Sequence, residues 1–85
     1  MWETTRMPAT REQVQEVIRE AFPGADVDGV REENRRVGGI IIWPGFKGME
    51  SRERNRLVTE RVRDKLGLRG INVGFLFPLA PGEKL

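Results

Sequence analysis

Apolar residues first recur as Val14, Val17, Ile18, Ala21 and Phe22. That i, i+3, i+4, i+7, i+8 spacing lines one face of an α-helix. Thr10 with Gln13 three residues later is a capping box, which starts the helix, and Pro23-Gly24 stops it. Residues 1–9 carry no period and are expected to form a loose lead-in to a single domain over 10–85. A short alternating stretch follows around 25–31, in which Ala25, Val27 and Val30 could face a core, and the charged residues 32–36 read as a loop or hairpin turn. Val37 to Trp43 is β-branched and apolar, which predicts a central strand buried on both faces. Its Gly38-Gly39 pair marks a bulge or a close backbone approach. From about Met49 to Leu66 the pattern is helical again, with Val58, Val62 and Leu66 in the buried stripe and Leu57 off it. Either this helix is broken near its middle or Leu57 faces something else. Ile71, Val73, Phe75 and Phe77 then alternate with Asn72, Gly74 and Leu76, predicting a last strand whose apolar face is the first set. The order αββααβ predicts an α+β sandwich of two layers, a three-stranded mixed sheet with helices on one face.

Composition narrows the chemistry more than the fold. The 85 residues include no Cys, no His and no Tyr, and Ser51 is the only serine. Disulfides, Cys/His zinc sites, thiol nucleophiles and His-based acid–base catalysis are therefore outside its reach. The remaining lysines and carboxylates show no diagnostic spacing, so the expectation is a non-enzyme without a metal site or cofactor of its own. The net charge of +2 conceals an asymmetry: residues 1–34 carry four basic and eight acidic side chains, residues 35–85 eleven and five. The longest apolar run, Ile40 to Trp43, is far short of the ~20 residues a membrane span needs. No export signal is visible, so a cytoplasmic, monomeric protein without membrane contact is expected.

The second half carries a resemblance. Phe46-Lys47-Gly48, Arg54-Asn55-Arg56-Leu57-Val58, Ile71-Asn72-Val73 and Leu79-Ala80-Pro81-Gly82-Glu83 occur in the order and spacing of the BolA-like proteins. That family has a Phe-x-Gly loop, an Arg-His-Arg-x-Val helix, an Ile-His-Ala-Leu strand and a Leu-Thr-Pro-x-Glu tail. The resemblance spans roughly residues 11–83 and implies a fold similar to the type II K-homology nucleic-acid-binding domain. Asn55 and Asn72 stand where the family has histidines. The second of these implies a ligand to a two-iron, two-sulfur cluster shared with a monothiol glutaredoxin, and its companion ligand would fall near residues 32–36. Asn is a poor ligand for such a centre, which takes thiolate or imidazole. Cluster sharing is therefore not expected, although a contact with the glutaredoxin remains open.

Two sets of candidate residues follow. Gly45-Phe46-Lys47-Gly48 is a Gly-x-x-Gly loop that could bring backbone amides to a phosphate, or could simply turn the chain with Phe46 in the core. After it, Arg52, Arg56 and Arg63 fall within about 40° of one another on a helical wheel, and Arg54, Arg61 and Lys65 within another such sector. The bland reading is a solvated helix laced with pairs such as Glu50–Arg54 and Glu60–Arg63. The functional one is a footprint for DNA or RNA, for which Gly45, Lys47, Gly48, Arg52, Arg54, Arg56 and Arg63 are the candidate contacts. Trp43, Phe46, Asn55 and Asn72 are the candidate partner interface, with Trp43 and Phe46 able either to stack on bases or to sit in the core. The leading expectation is a nucleic-acid-binding module of the transcription-regulator type. The rival is an adaptor docking a monothiol glutaredoxin without ligating its cluster.

Overall fold

A computed structural model describes residues 8–85. Helix α1 (Arg11–Ala21) starts on the expected capping box: Thr10 Oγ1 accepts from the Gln13 amide at 3.1 Å and Gln13 Oε1 from the Thr10 amide at 2.9 Å. Its stripe packs as its spacing predicts, with Val14, Ile18 and Phe22 fully buried and Val17 and Ala21 at the margin. Of the expected lead-in, residues 1–7 lie outside the described residues. Ala9 belongs to the core, 3% exposed with its amide bonded to the Arg69 carbonyl at 2.9 Å, so packing begins just before the cap.

Strands β1 (Asp26–Glu33) and β2 (Arg36–Ile42) form an antiparallel hairpin. Its two-residue loop is Asn34-Arg35, at φ 51° and 66°. That is the mirror-image turn that suits the twist of paired strands. Strand β3 (Val73–Leu79) pairs in parallel with β2 on the other side, giving the order β1-β2-β3. A parallel return needs a long crossover. Here it is a 3-10 turn (Pro44–Phe46), helix α2 (Ser51–Val58), a π turn (Thr59–Arg63), a short α3 (Asp64–Leu66) and a second 3-10 turn (Gly67–Asn72). The π turn answers the question Leu57 raised. Four residues advance an α-helix about 40° past a full turn, and a wider turn removes that drift. Val58, Val62 and Leu66 thus all stay in the core, while Leu57 packs against its edge.

Two expectations about the sheet are corrected. The central strand is buried on one face only: Val37 and Ile41 are fully buried, whereas Ile40 and Ile42 are half-exposed on the face the helices leave open. The apolar alternation of β3 is also broken. Val37 pairs with Val73 but Gly39 with Leu76, so β3 carries one extra residue. Val73 and Leu76 therefore face the core, and Phe75 and Phe77 are 60% and 38% exposed. Ile71 precedes the strand and is 83% exposed. Strand β1 has a matching irregularity between Asp26 and Gly29, which turns both Val27 and Val30 inward. Gln15 Nε2 donates to the carbonyls of those two valines, at 3.1 and 3.3 Å.

The glycine pair in β2 accommodates both bulges. A Cβ on Gly39, at φ 135°, would strike the Gly29 carbonyl, and one on Gly38 would lie 2.9 Å from the Phe75 carbonyl oxygen. Gly39→Ala should therefore lower stability by at least about 1–3 kcal/mol, the range for backbone forced into a glycine-only conformation. Gly74→Ala is the control, because its Cβ would meet only the Val37 carbonyl at an ordinary 3.7 Å. Urea denaturation of the two variants measures the difference. Arg35→Gly should act the other way, raising stability by about 1 kcal/mol by relieving a left-handed non-glycine residue, and the melting temperature by roughly 4–8 °C.

Candidate nucleic-acid interface

Around the Gly45–Gly48 loop the side chains build core rather than surface. Phe46 is fully buried, and its ring meets those of Phe22 and Trp43 with centroids 5.4 and 5.2 Å apart. Phe22 and Trp43 close the triangle at 5.0 Å. Trp43 is half-buried, and its indole N–H donates to the Pro23 carbonyl at 3.0 Å, tying the end of β2 to the end of α1. Gly45 is needed here because a Cβ would run into the Trp43 ring. Two of the loop's amides are occupied, Phe46 N–H donating to the Trp43 carbonyl and Lys47 N–H to that of Pro44, both at 3.1 Å, and just beyond it Met49 N–H donates to the Phe46 carbonyl at 3.0 Å. Of the two readings of the loop and its aromatics, Phe46 follows the one that places its ring in the core, and Trp43 packs half-buried against it. The loop also presents the exposed side chain of Lys47.

The helical arginines divide into two groups. Arg54 is 11% exposed and works inside the fold. Its guanidinium donates to the Met49 carbonyl at 2.9 Å, to the Pro78 carbonyl at 3.2 Å and, with two nitrogens, to the Glu83 carboxylate at 2.6 and 3.0 Å. Glu83 also closes the Ala80–Glu83 turn, accepting from the Ala80 amide at 2.9 Å. Arg61 caps the end of α1, donating to the Ala21 carbonyl at 3.0 Å with its guanidinium 5.6 Å from the centre of the Phe22 ring. Arg54 is thus withdrawn from the phosphate-contact set. The expected Glu50–Arg54 and Glu60–Arg63 pairs do not form among the described residues either. Instead Lys65 reaches Glu20 at 3.7 Å, and Glu53 accepts from the Glu50 amide at 3.3 Å to cap α2.

Arg52, Arg56 and Arg63 remain exposed, and these are the residues the wheel grouped. Between this helix and β3 runs a groove of about 230 Å³, lined in part by Asn55, Thr59, Arg63 and Phe75. A second hollow of about 180 Å³ continues it past Asn55 and Phe75 to Ser51, Phe77 and Pro78. No Asp or Glu side chain lines either one. The acids of the helix turn the other way, Glu60 and Asp64 lying with Glu20 beside Ala21. Asn55 is therefore where a partner on this face would meet it. Sequence reasoning missed Phe75 and Phe77, because strict alternation had placed them in the core. The signal that could have found them was Gly38-Gly39, whose neighbours must bulge.

Asn72 ends the second 3-10 turn rather than lying in the strand. Its Nδ2 donates to the Ala9 carbonyl at 2.9 Å and to the Arg35 carbonyl at 3.2 Å, joining the chain before α1 to the tip of the β1–β2 hairpin. The two positions that the BolA-like resemblance would pair around an iron–sulfur cluster thus do lie together. Their residues do not fit one: the Asn72 amide is committed to two carbonyls, and the hairpin tip supplies only Glu, Asn and Arg. Among the described residues there is no cluster of carboxylates suited to a metal ion, and no helix is long and apolar enough to cross a membrane.

The Arg54–Glu83 latch predicts an acid-sensitive step. Hydrogen bonds from Arg54, then from the Ala80 amide, lower the Glu83 carboxyl from its ordinary 4.5 to about 2. A carboxyl lowered by folding contributes fully above its unfolded value and fades as pH falls through its folded one. Glu83→Gln should therefore melt below the parent protein at neutral pH. The gap should narrow from about pH 4.5 and close near pH 2, as thermal melts across that range would record. The chain matches no family model, no curated protein and no solved structure, so its function must be argued from this face.

Proposed function

We propose that this chain is a non-enzymatic, BolA-like domain that binds nucleic acid along the face formed by α2, the π turn and β3. One observation carries the reading: Arg63 and the exposed Phe75 line the same groove, no carboxylate side chain faces it, and Arg52 and Arg56 stand free on the adjoining helix surface. Arginine suits this task because its planar fork can meet two phosphate oxygens at once and stays charged at any physiological pH. Lys47, exposed where the chain turns into α2, extends the positive surface toward the loop. The reading from sequence joined the glycine loop, the Arg-rich helix and the adjoining sheet edge; of these, the helix and the sheet edge carry most of the proposed contact.

A second reading, docking of a monothiol glutaredoxin, is favoured by Leu68 and Ile71, 81% and 83% exposed in the turn that presents Asn72. Burial of apolar surface of this kind changes little with salt, whereas phosphate contacts weaken steeply with it. The test is fluorescence anisotropy with a labelled oligonucleotide between 50 and 200 mM salt, run beside a titration with glutaredoxin. On the nucleic-acid reading, Arg52→Gln, Arg56→Gln and Arg63→Gln each weaken binding whatever the base sequence. Each also flattens the slope of log K against log salt by about 0.7–0.9 for the contact removed. Affinity indifferent to salt and to all three changes would refute the reading.

A further inference from the structure

We infer that the ligand of this face is single-stranded, with Phe75 and Phe77 serving as a platform on which its bases stack; the inference rests on the nucleic-acid reading above. The two rings lie on the open face and edge of the sheet, with centroids 4.5 Å apart and planes 33° from parallel. Such a pair is already close to stacked and leaves the outer faces of its rings to solvent, 60% and 38% of each residue being exposed. Two exposed phenylalanines are costly in a domain with six aromatic residues, and neither is needed to fill the core, which Val73 and Leu76 close from the same strand. The apolar surface continues to the half-exposed Ile40, the β2 residue paired with Phe77.

The occupant is argued from charge and shape together. A docking surface for an ordinary protein partner would gain from a mixed polar rim, but here Arg63 is the one charged side chain lining the two hollows and no Asp or Glu side chain does so, while Arg52 and Arg56 are exposed on α2. An apolar ring platform beside an arginine that no carboxylate side chain in the groove opposes is complementary to a chain that presents flat apolar faces on one side and phosphates on the other. A single nucleic-acid strand is that chain. In a duplex the base faces are hidden inside the stack, so it could meet the arginines but not the phenylalanines. Asn55 lines both hollows between the cationic and aromatic parts, and its amide can donate to or accept from a base edge.

The roles separate experimentally. With a labelled ~10-nucleotide single strand and the corresponding duplex at equal salt, the parent protein should bind the single strand more tightly. Phe75→Ala should weaken that binding about tenfold, in keeping with the loss of one base–aromatic stack, while leaving the salt slope and the duplex affinity unchanged. Phe75→Trp should restore it, and because Phe75 is mostly exposed the melting temperature should hold in both variants. In the parent, a 2-aminopurine base placed in the strand should be quenched on binding. Equal affinity for single strand and duplex, insensitive to Phe75→Ala, would overturn the stacking platform while leaving phosphate binding intact. No binding of either form, with Phe75→Ala instead abolishing capture of a protein partner, would overturn both.

Discussion

The sheet depends on the close approach of three backbones at Gly38-Gly39. Strand β1 on one side and β3 on the other each carry one more residue than β2 opposite them; the β3 irregularity lies opposite Gly38, and the β1 irregularity, opposite Ile41, ends at Gly29, whose carbonyl lies against Gly39. A side chain on Gly39 would occupy the space of the Gly29 carbonyl, and one on Gly38 would crowd that of Phe75. With the glycines in place the extra residues are absorbed, and the phase of each outer strand changes along its length. In β1 this turns both Val27 and Val30 to the core. In β3 it admits Val73 and Leu76 and turns Phe75 and Phe77 out. The surface proposed to bind a partner is thus a consequence of the geometry that seals the core.

A second constraint sorts the charges. An arginine beside free carbonyls or a carboxylate on a neighbouring element is drawn into the fold, as Arg54 is by Met49, Pro78 and Glu83 and Arg61 by Ala21. One whose helical position points away from every such acceptor stays in water, as Arg52 and Arg56 do. The capping box at Thr10 and the aromatic triangle of Phe22, Trp43 and Phe46 fix the angle of α1, and Arg61 crosses from the π turn to its end. Glu60 and Asp64 lie with Arg61 on the α1 side, and the groove beside β3 is left with Arg63 as its one charged lining residue.

The sequence made legible what repeats locally. The stripe of α1, its cap, the hairpin at 32–36, the central place of β2 and the element order all follow from short-range periodicity and turn chemistry, and the structure has them. The α+β class with a three-stranded mixed sheet follows from that order. The phase of β3 did not follow, because a bulge is decided by the strand next to it. Nor did the fate of individual arginines, since the acceptors that capture Arg54 and Arg61 lie between 5 and 40 residues away in sequence. The helical wheel grouped Arg52, Arg56 and Arg63; all three are exposed, and Arg63, carried by the π turn, is the one of them that lines the groove beside β3.

The missing histidines take on a different meaning once Asn72 is located. An imidazole at that position would present a lone pair or a single N–H; the carboxamide presents two donors, and both carbonyls it reaches are structural. Ala9 lies before α1 and Arg35 at the tip of the hairpin, so one side chain pins two segments that no sheet hydrogen bond connects. Where the BolA-like resemblance would put a histidine, this chain has a structural clamp. The partner-facing chemistry is then left to side chains that need no proton transfer or redox change to act: fixed positive charge on α2 and the π turn, and flat apolar rings on β3. Recognition by charge and stacking is what such a residue set can perform, and Arg63 and Phe75 bring the two together in one groove.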